Sequence, residues 1–196
     1  MQLPRSRRQC QLWANGQGVS ESVTWHFPDV SGDEILWRVN IADIPGDCDF
    51  SELAGIDRQF MLLDDVHLTL DLDHRRTVRP LDRVDFAGEM APVCRASGPA
   101  RALNLLLRRG RAVGNLQLVD ITRPIDLPLP QTGCIVVVKI DGNPTWPGSA
   151  ANLRPGDAVR QNRPMGGGPK RFRLSGVGRV AVMSIMTLPP RGPDDD

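Results

Sequence analysis

The chain has 196 residues, of which 40% are hydrophobic and 24% charged, and its formal net charge is +1. This length supports one large domain or two small ones with a real core, and the composition is globular rather than disordered. The near-zero charge excludes nucleic acid as the main partner, because phosphate binding needs a basic excess on one face; Arg5, Arg7 and Arg8 read only as a short solvated cluster.

Basic residues open the chain with no apolar stretch behind them, so no secretory leader is expected. The longest apolar run, near residues 134–138, is too short to cross a bilayer, and no membrane partner is expected. Cys10, Cys48, Cys94 and Cys134 are far apart, with no C-x-x-C pair. That spacing suits neither a zinc site nor a disulfide framework. Buried free thiols and a cytoplasmic location are the expectation.

In chain order, the most helical stretch is 50–59, and it spans only a turn or two. Alternation is the stronger signal. Over residues 35–41, Ile35, Trp37, Val39 and Ile41 share one face, with Arg38 and Asn40 on the other. Over residues 66–72, Val66, Leu68, Leu70 and Leu72 face one way, and His67, Thr69 and Asp71 the other. A turn at Asp73–His74 leads into 77–80. Short strands are predicted at 84–86, 93–96, 102–107 and 116–119. After a proline-rich loop at 124–130 the pattern resumes at 134–140, 158–160, 171–174 and 179–186. Nineteen glycines and seventeen prolines fit many turns between short strands. Pro155-Gly156-Asp157 reads as a tight bend, weakly echoed at residues 79–84. The predicted fold is all-β, with two barrel-like halves (1–120 and 121–188) in one body, few short helices, and a frayed tail at 189–196.

Four blocks resemble the HutD/Ves family. Trp13-Ala14-Asn15-Gly16-Gln17-Gly18-Val19-Ser20 is similar to its W-x-N-G-G-G-x-T opening, and Trp37-Arg38-Val39-Asn40-Ile41-Ala42 to its W-R-x-S-x-A strand. Phe50-Ser51 with Gly55-Ile56-Asp57-Arg58 resembles F-S-x-F-x-G-x-D-R, and Gly98-Pro99 with residues 104–110 resembles G-P…D-x-N-x-M-x-R-R-G. The blocks lie in the family's order over roughly residues 10–110. The resemblance implies a double cupin with a jelly-roll core. It also implies a bacterial role linked to histidine utilisation and its regulation, and a small acidic ligand such as formylglutamate or urocanate. No firm enzymatic activity is implied. The chain departs from the pattern at Gln17, Ser22, Asp47-Cys48-Asp49 and Ala102. Either the ligand differs or the pocket has decayed.

His26, His67 and His74 form no His-x-His set, and only His67 and His74, with Asp71 nearby, could converge across a hairpin. No metal or other cofactor is expected. There is no G-x-S-x-G elbow, and Ser20 has no base near it in sequence. Gly166-Gly167-Gly168-Pro169-Lys170 lacks the G-K-[ST] ending of a phosphate loop, and Gly176-Val177-Gly178 is a lone G-x-G; both read as turns.

What remains is a polar face bearing arginines. Arg38 and Asn40 share one side of a strand, as do Asn104 and Arg108, opposite Leu103, Leu105 and Leu107. Paired guanidinium groups suit a carboxylate. The competing reading makes Arg38 and Arg58 structural, with Arg58 paired to Asp57 or another acid. Asn15-Gly16 is either a plain hairpin turn or part of a pocket rim. The candidate ligand-binding set is Asn15, Gly16, Arg38, Asn40, Asp57, Arg58, Asn104 and Arg108, with no catalytic residue assigned. Binding of a small carboxylate is the leading reading. An isomerase or hydrolase using His67 or Asp57 as base is the second. A regulatory protein acting through its surface, with a homodimer through sheet edges, is the third.

Overall fold

The computed structural model describes residues 1–26, 35–150, 152–164 and 170–189. Its strands are β1 (Gln2–Leu3), β2 (Cys10–Leu12), β3 (Val19–His26), β4 (Trp37–Ile44), β5 (Cys48–Asp49), β6 (Ile56–Leu62), β7 (Leu68–Asp71) and β8 (Arg75–Val78). They continue as β9 (Arg83–Ala87), β10 (Val93–Ala96), β11 (Ala100–Arg108), β12 (Ala112–Ile121), β13 (Ile125–Pro128), β14 (Cys134–Thr145), β15 (Ala158–Asn162) and β16 (Arg171–Thr187). The helical content among these residues is two short 3-10 turns, Arg5–Arg7 and Gly88–Met90. None of the described helices is long and apolar enough to cross a membrane.

Three antiparallel sheets result. The first runs β2-β3-β4-β11-β6-β9 and the second β5-β10-β7-β8. The third runs β1-β15-β14-β16-β12, with β13 added on β16. Alternation builds three cores from these sheets. Phe50, Phe60, Leu62, Leu70 and Val84 fill the first barrel, between the first two sheets. Ile135, Val137, Phe172, Leu174 and Val182 fill the second. Between the barrels the two large sheets meet back to back on Val39, Leu103, Leu105, Val136, Val138 and Met183. The all-β double barrel of cupin type is thus the observed architecture.

Several expectations need correction. The stretch 50–59 is not helical. Residues 50–55 form a loop that ends at Gly55 (φ +71°), a left-handed position that no continuous helix passes through. Ile56 then opens β6, which pairs with β11 on one side and β9 on the other. Gly176-Val177-Gly178 is no turn but the middle of β16. A Cβ at Gly176 would meet the Asn143 carbonyl oxygen at 2.2 Å, so glycine lets this long strand pass tightly against β14. Residues 112–121 and 2–3 lie in the third sheet, so the division into halves at 120 does not follow the sheets. Cys10 is exposed, whereas Cys48, Cys94 and Cys134 are buried. The glycine run 166–168 and the tail from 190 lie outside the described residues.

Candidate functional site

The inner face of the first sheet carries the polar residues. Register sets them in rows across β4, β11 and β6. Arg38, Leu106 and Arg58 form one row, and Asn40, Asn104 and Phe60 the next. Ala42, Ala102 and Leu62 form a third, small and apolar. Because strands alternate, Leu103, Leu105 and Leu107 go to the back-to-back core while Asn104 and Leu106 face the barrel lumen. A cavity of about 250 Å³ lies above these rows. Its walls include Trp13, Ser20, Phe50, Ser51 and Leu53. Drug-sized ligands need about 300–1,000 Å³, so this space fits a smaller molecule.

Arg58 is 8% exposed and has no carboxylate within ion-pair distance among the described residues. Its guanidinium sits between the Phe50 and Phe86 rings, 5.1 and 5.0 Å from their centroids. Each ring offsets part of the desolvation by cation–π attraction, about 0.5–2 kcal/mol. Burial lowers the Arg58 pKa to about 10, so the group is still cationic at neutral pH. Its one hydrogen bond runs from Nη2 to Asn104 Oδ1 at 3.3 Å, and its Nε is buried without a partner.

That bond sets the polarity of its neighbours. Arginine only donates, so Asn104 must turn its oxygen to Arg58 and its Nδ2 to Asn40. Asn104 Nδ2 accordingly donates to Asn40 Oδ1 at 3.1 Å. The Asn40 Nδ2 is left as a donor for the cavity. On the far side, Arg38 donates from Nη2 to Ser22 Oγ at 2.7 Å, and its buried Nε also lacks a partner. Desolvation lowers the Arg38 pKa too. The floor is therefore an array of donors, and no Asp, Glu or His is among the described lining residues.

The wall opposite is latched. Trp13 lies against Gly18, where a Cβ would overlap its ring at 2.6 Å. Its Nε1 donates to Ser20 Oγ, and its ring meets Phe50 edge-on at 5.7 Å. Asn15 Nδ2 donates to the Asp49 carbonyl at 2.8 Å, and the Asp49 amide donates to Gln17 Oε1 at 2.7 Å. These bonds tie the β2–β3 turn to the 49–53 segment.

The eight sequence candidates therefore separate. Arg38, Asn40, Arg58 and Asn104 line the cavity. Asn15 and Gly16 sit in the latching turn and are not among its lining residues. Asp57 is on the opposite face of β6 and pairs with Arg109 at 2.8 Å, not with Arg58. Arg108 lies beyond the cavity at the end of β11 and donates to the Ala54 carbonyl. His67 and His74 do not converge on Asp71, which pairs with Arg75 at 3.0 Å. Among the described residues no three His, Cys, Asp or Glu side chains are placed to share a metal ion. Sequence reasoning passed over Trp13, Phe50, Ser51 and Leu106 as lining residues. Period two puts Leu106 on the Asn104 face of β11, but its apolar side chain carries no chemical signal in the sequence.

A family model described as HutD matches residues 5–181. The chain belongs to the HutD family. Among curated relatives it is 34% identical to an uncharacterised 21.2 kDa protein in the hutC 3′ region of Pseudomonas putida, over 113 residues. It is 29% identical to Protein Ves of Citrobacter koseri over 115 residues. These matches cover 56% and 57% of this chain and 59% of each relative, so the chain spans about three fifths of their length. HutD from Pseudomonas fluorescens SBW25 superposes with a TM-score of 0.78 at 23% identity, covering 96% of this chain and 99% of that one. A conserved protein of unknown function from Pseudomonas aeruginosa PAO1 also gives 0.78, at 20% identity, over 95% and 98%. A cupin 2 conserved barrel domain protein from Leptotrichia buccalis gives 0.54 at 10% identity over 91% of both chains. These structural likenesses place the HutD-family chain in the cupin fold. Its departures from the HutD pattern fall in defined places. Gln17 closes the latch, Ser22 holds Arg38, and Ala102 keeps the third row small.

Proposed function

We propose that this chain binds a small carboxylate in the first-barrel cavity and does no covalent chemistry on it. The observation that carries the reading is the pair of arginines without counter-ions among the described residues, each with an unpartnered buried Nε. A buried unpaired cation is costly, and an anion from solution would relieve that cost. Arg38 and Arg58 flank Leu106 from the strands on either side, about 10 Å apart at the backbone. A short diacid spans that row, with one carboxylate near each guanidinium and its methylenes over Leu106. Asn40 Nδ2 supplies a further donor. Charge-assisted hydrogen bonds contribute about 1.5–3 kcal/mol each, so several reach micromolar affinity after association costs.

The HutD resemblance makes formylglutamate and urocanate the first ligands to try, with a regulatory role in histidine utilisation. Catalysis has less support, because the two candidate bases, His67 and Asp57, are not lining residues. Calorimetric titration of the chain with formylglutamate, glutarate and urocanate tests the reading. Saturable binding that Arg58→Met abolishes is expected. Absence of heat and of thermal shift with every carboxylate would overturn it.

A further inference from the structure

We propose that a second anion site lies outside the barrel, in the groove between the N-terminal strap and the open edge of β3, and that it takes a phosphorylated small molecule carrying a planar ring. β2 pairs with β3 only over Val19–Glu21, so β3 runs on beyond it. The strap of residues 1–9 lies alongside and leaves a groove of about 480 Å³. None of the residues lining it belongs to the first cavity.

Its charge is unbalanced. Arg7, Arg8 and Arg160 all line it. The Arg8 side chain is only 4% exposed and donates from Nη2 to the Gly156 and Leu3 carbonyls. Its Nε and Nη1 have no hydrogen-bond partner. Its nearest carboxylate is Glu21 at 3.7 Å, and Arg5 already holds Glu21 at 2.7 Å. Arg160 donates to Asn162 Oδ1, Thr24 Oγ1 and the Trp25 carbonyl, all neutral, and stacks on Trp37 at 4.7 Å. Arg7 has no side-chain partner among the described residues. Three guanidinium groups thus face one ion-pairing carboxylate, Glu21, which Arg5 shares, while Asp157 acts on Arg8 from beyond ion-pair distance.

A dianion answers three guanidiniums better than a single carboxylate does, and planar forks match phosphate oxygens. Ser22 and Thr24 line the same groove, their hydroxyls accepting from Arg38 and Arg160. The other wall is apolar, from Met1, Leu3, Pro4 and Val23, and ends at Trp25. Trp25 is 44% exposed and its ring makes no aromatic contact among the described residues. An indole face left open beside an anion site is a stacking platform for a flat ring. The volume lies within the range of about 300–1,000 Å³ that holds a molecule of nucleotide size.

The test is titration of the full chain with adenosine monophosphate, inorganic phosphate and adenosine, read by calorimetry and tryptophan fluorescence. The monophosphate should saturate the site and bind at least about tenfold more tightly than either fragment, the margin expected of one charge-assisted contact. Arg7→Ala and Trp25→Ala should each weaken it by about fivefold or more. Both side chains are exposed, so circular dichroism should show an unchanged fold, while Arg58→Met should leave the affinity unaltered. No saturable binding would overturn the proposal. So would equal affinity for inorganic phosphate, or loss of binding in Arg58→Met, which would move the site to the cavity.

Discussion

Arg58 donates to Asn104, and through that one bond it decides which end of Asn40 faces the cavity. A buried cation that can only give hydrogen bonds orients two amides in series. The outcome is a floor that offers donors alone, suited to acceptor-only ligands such as carboxylates.

Arg58→Met separates a binding role from a structural one. Methionine is apolar and of comparable length, and it removes a buried charge with no counter-ion. Stability should stay level or rise by about 1 kcal/mol or more, equivalent to roughly 2–4 °C in Tm per kcal/mol. Carboxylate binding should vanish in the same variant. A fall in Tm measured by calorimetry would mean that Arg58 holds the barrel together.

Asn104→Asp places a carboxylate at the position that now accepts from Arg58. The new pair should neutralise the buried charge and raise the denaturant midpoint. External carboxylates should lose affinity by about tenfold or more, since one charge-assisted contact is satisfied from within. Comparison of urea unfolding with calorimetric titration reads both effects on one protein.

Affinity should also follow the protonation of Arg58. Desolvation lowers its pKa to about 10, well below that of a guanidinium in water. A fully ionised carboxylate should therefore bind evenly from pH 6 to pH 9, both well below that value. Above about pH 10 affinity should fall, approaching tenfold per pH unit. Bound anion favours the cationic form, so the break should shift upward in the complex. Titrations at stepped pH check this.

At the acid end, Glu21 is the group to watch. Its hydrogen bond from Arg5 holds its pKa below the ordinary 4.5, against a smaller opposing effect of burial. A depressed carboxyl pKa contributes stability that is present above pH 4.5 and is lost as pH falls through the folded value. Thermal melts between pH 6 and pH 2 should show a decline that Glu21→Gln flattens.

Two glycines separate backbone strain from space. Gly16 and Gly176 both have positive φ, +71° and +81°. A Cβ at Gly16 meets nothing within 4 Å, whereas at Gly176 it meets the Asn143 oxygen at 2.2 Å. Gly16→Ala should cost about 1 kcal/mol, the strain alone. Gly176→Ala should cost about 3 kcal/mol or more, because β14 backbone must move. Chemical denaturation distinguishes them.

The sequence displayed the parts of this molecule that repeat with period two. β4, β7 and β11 were legible because one face of each is large and apolar: Trp37, Val39 and Ile41, then Leu68 and Leu70, then Leu103, Leu105 and Leu107. β6 was not, because Asp57, Arg58 and Gln59 interrupt it, and only pairing on both sides reveals them as strand. β16 was split in two at its glycines, since a close crossing and a turn demand the same residue. Arg38, Asn40 and Asn104 were found as polar letters in apolar strands. Arg58 was named too, with Asp57 or another acid as its partner in the competing reading. Alternation puts adjacent residues on opposite faces, and that single fact sends Asp57 to Arg109 and Arg58 into the lumen. The cavity walls were hidden for another reason. Trp13 and Phe50 come from a turn and a loop, where no period exists to read.

β11 has one further consequence. Leu103, Leu105 and Leu107 join the two barrels, while Asn104 and Leu106 form the cavity floor. The lining of the cavity and the union of the two halves are thus written in alternate letters of one nine-residue word. A substitution can revise one text without touching the other, but an insertion or deletion of a single residue would exchange them and spoil both. This strand should therefore tolerate drift at individual positions while its length stays fixed.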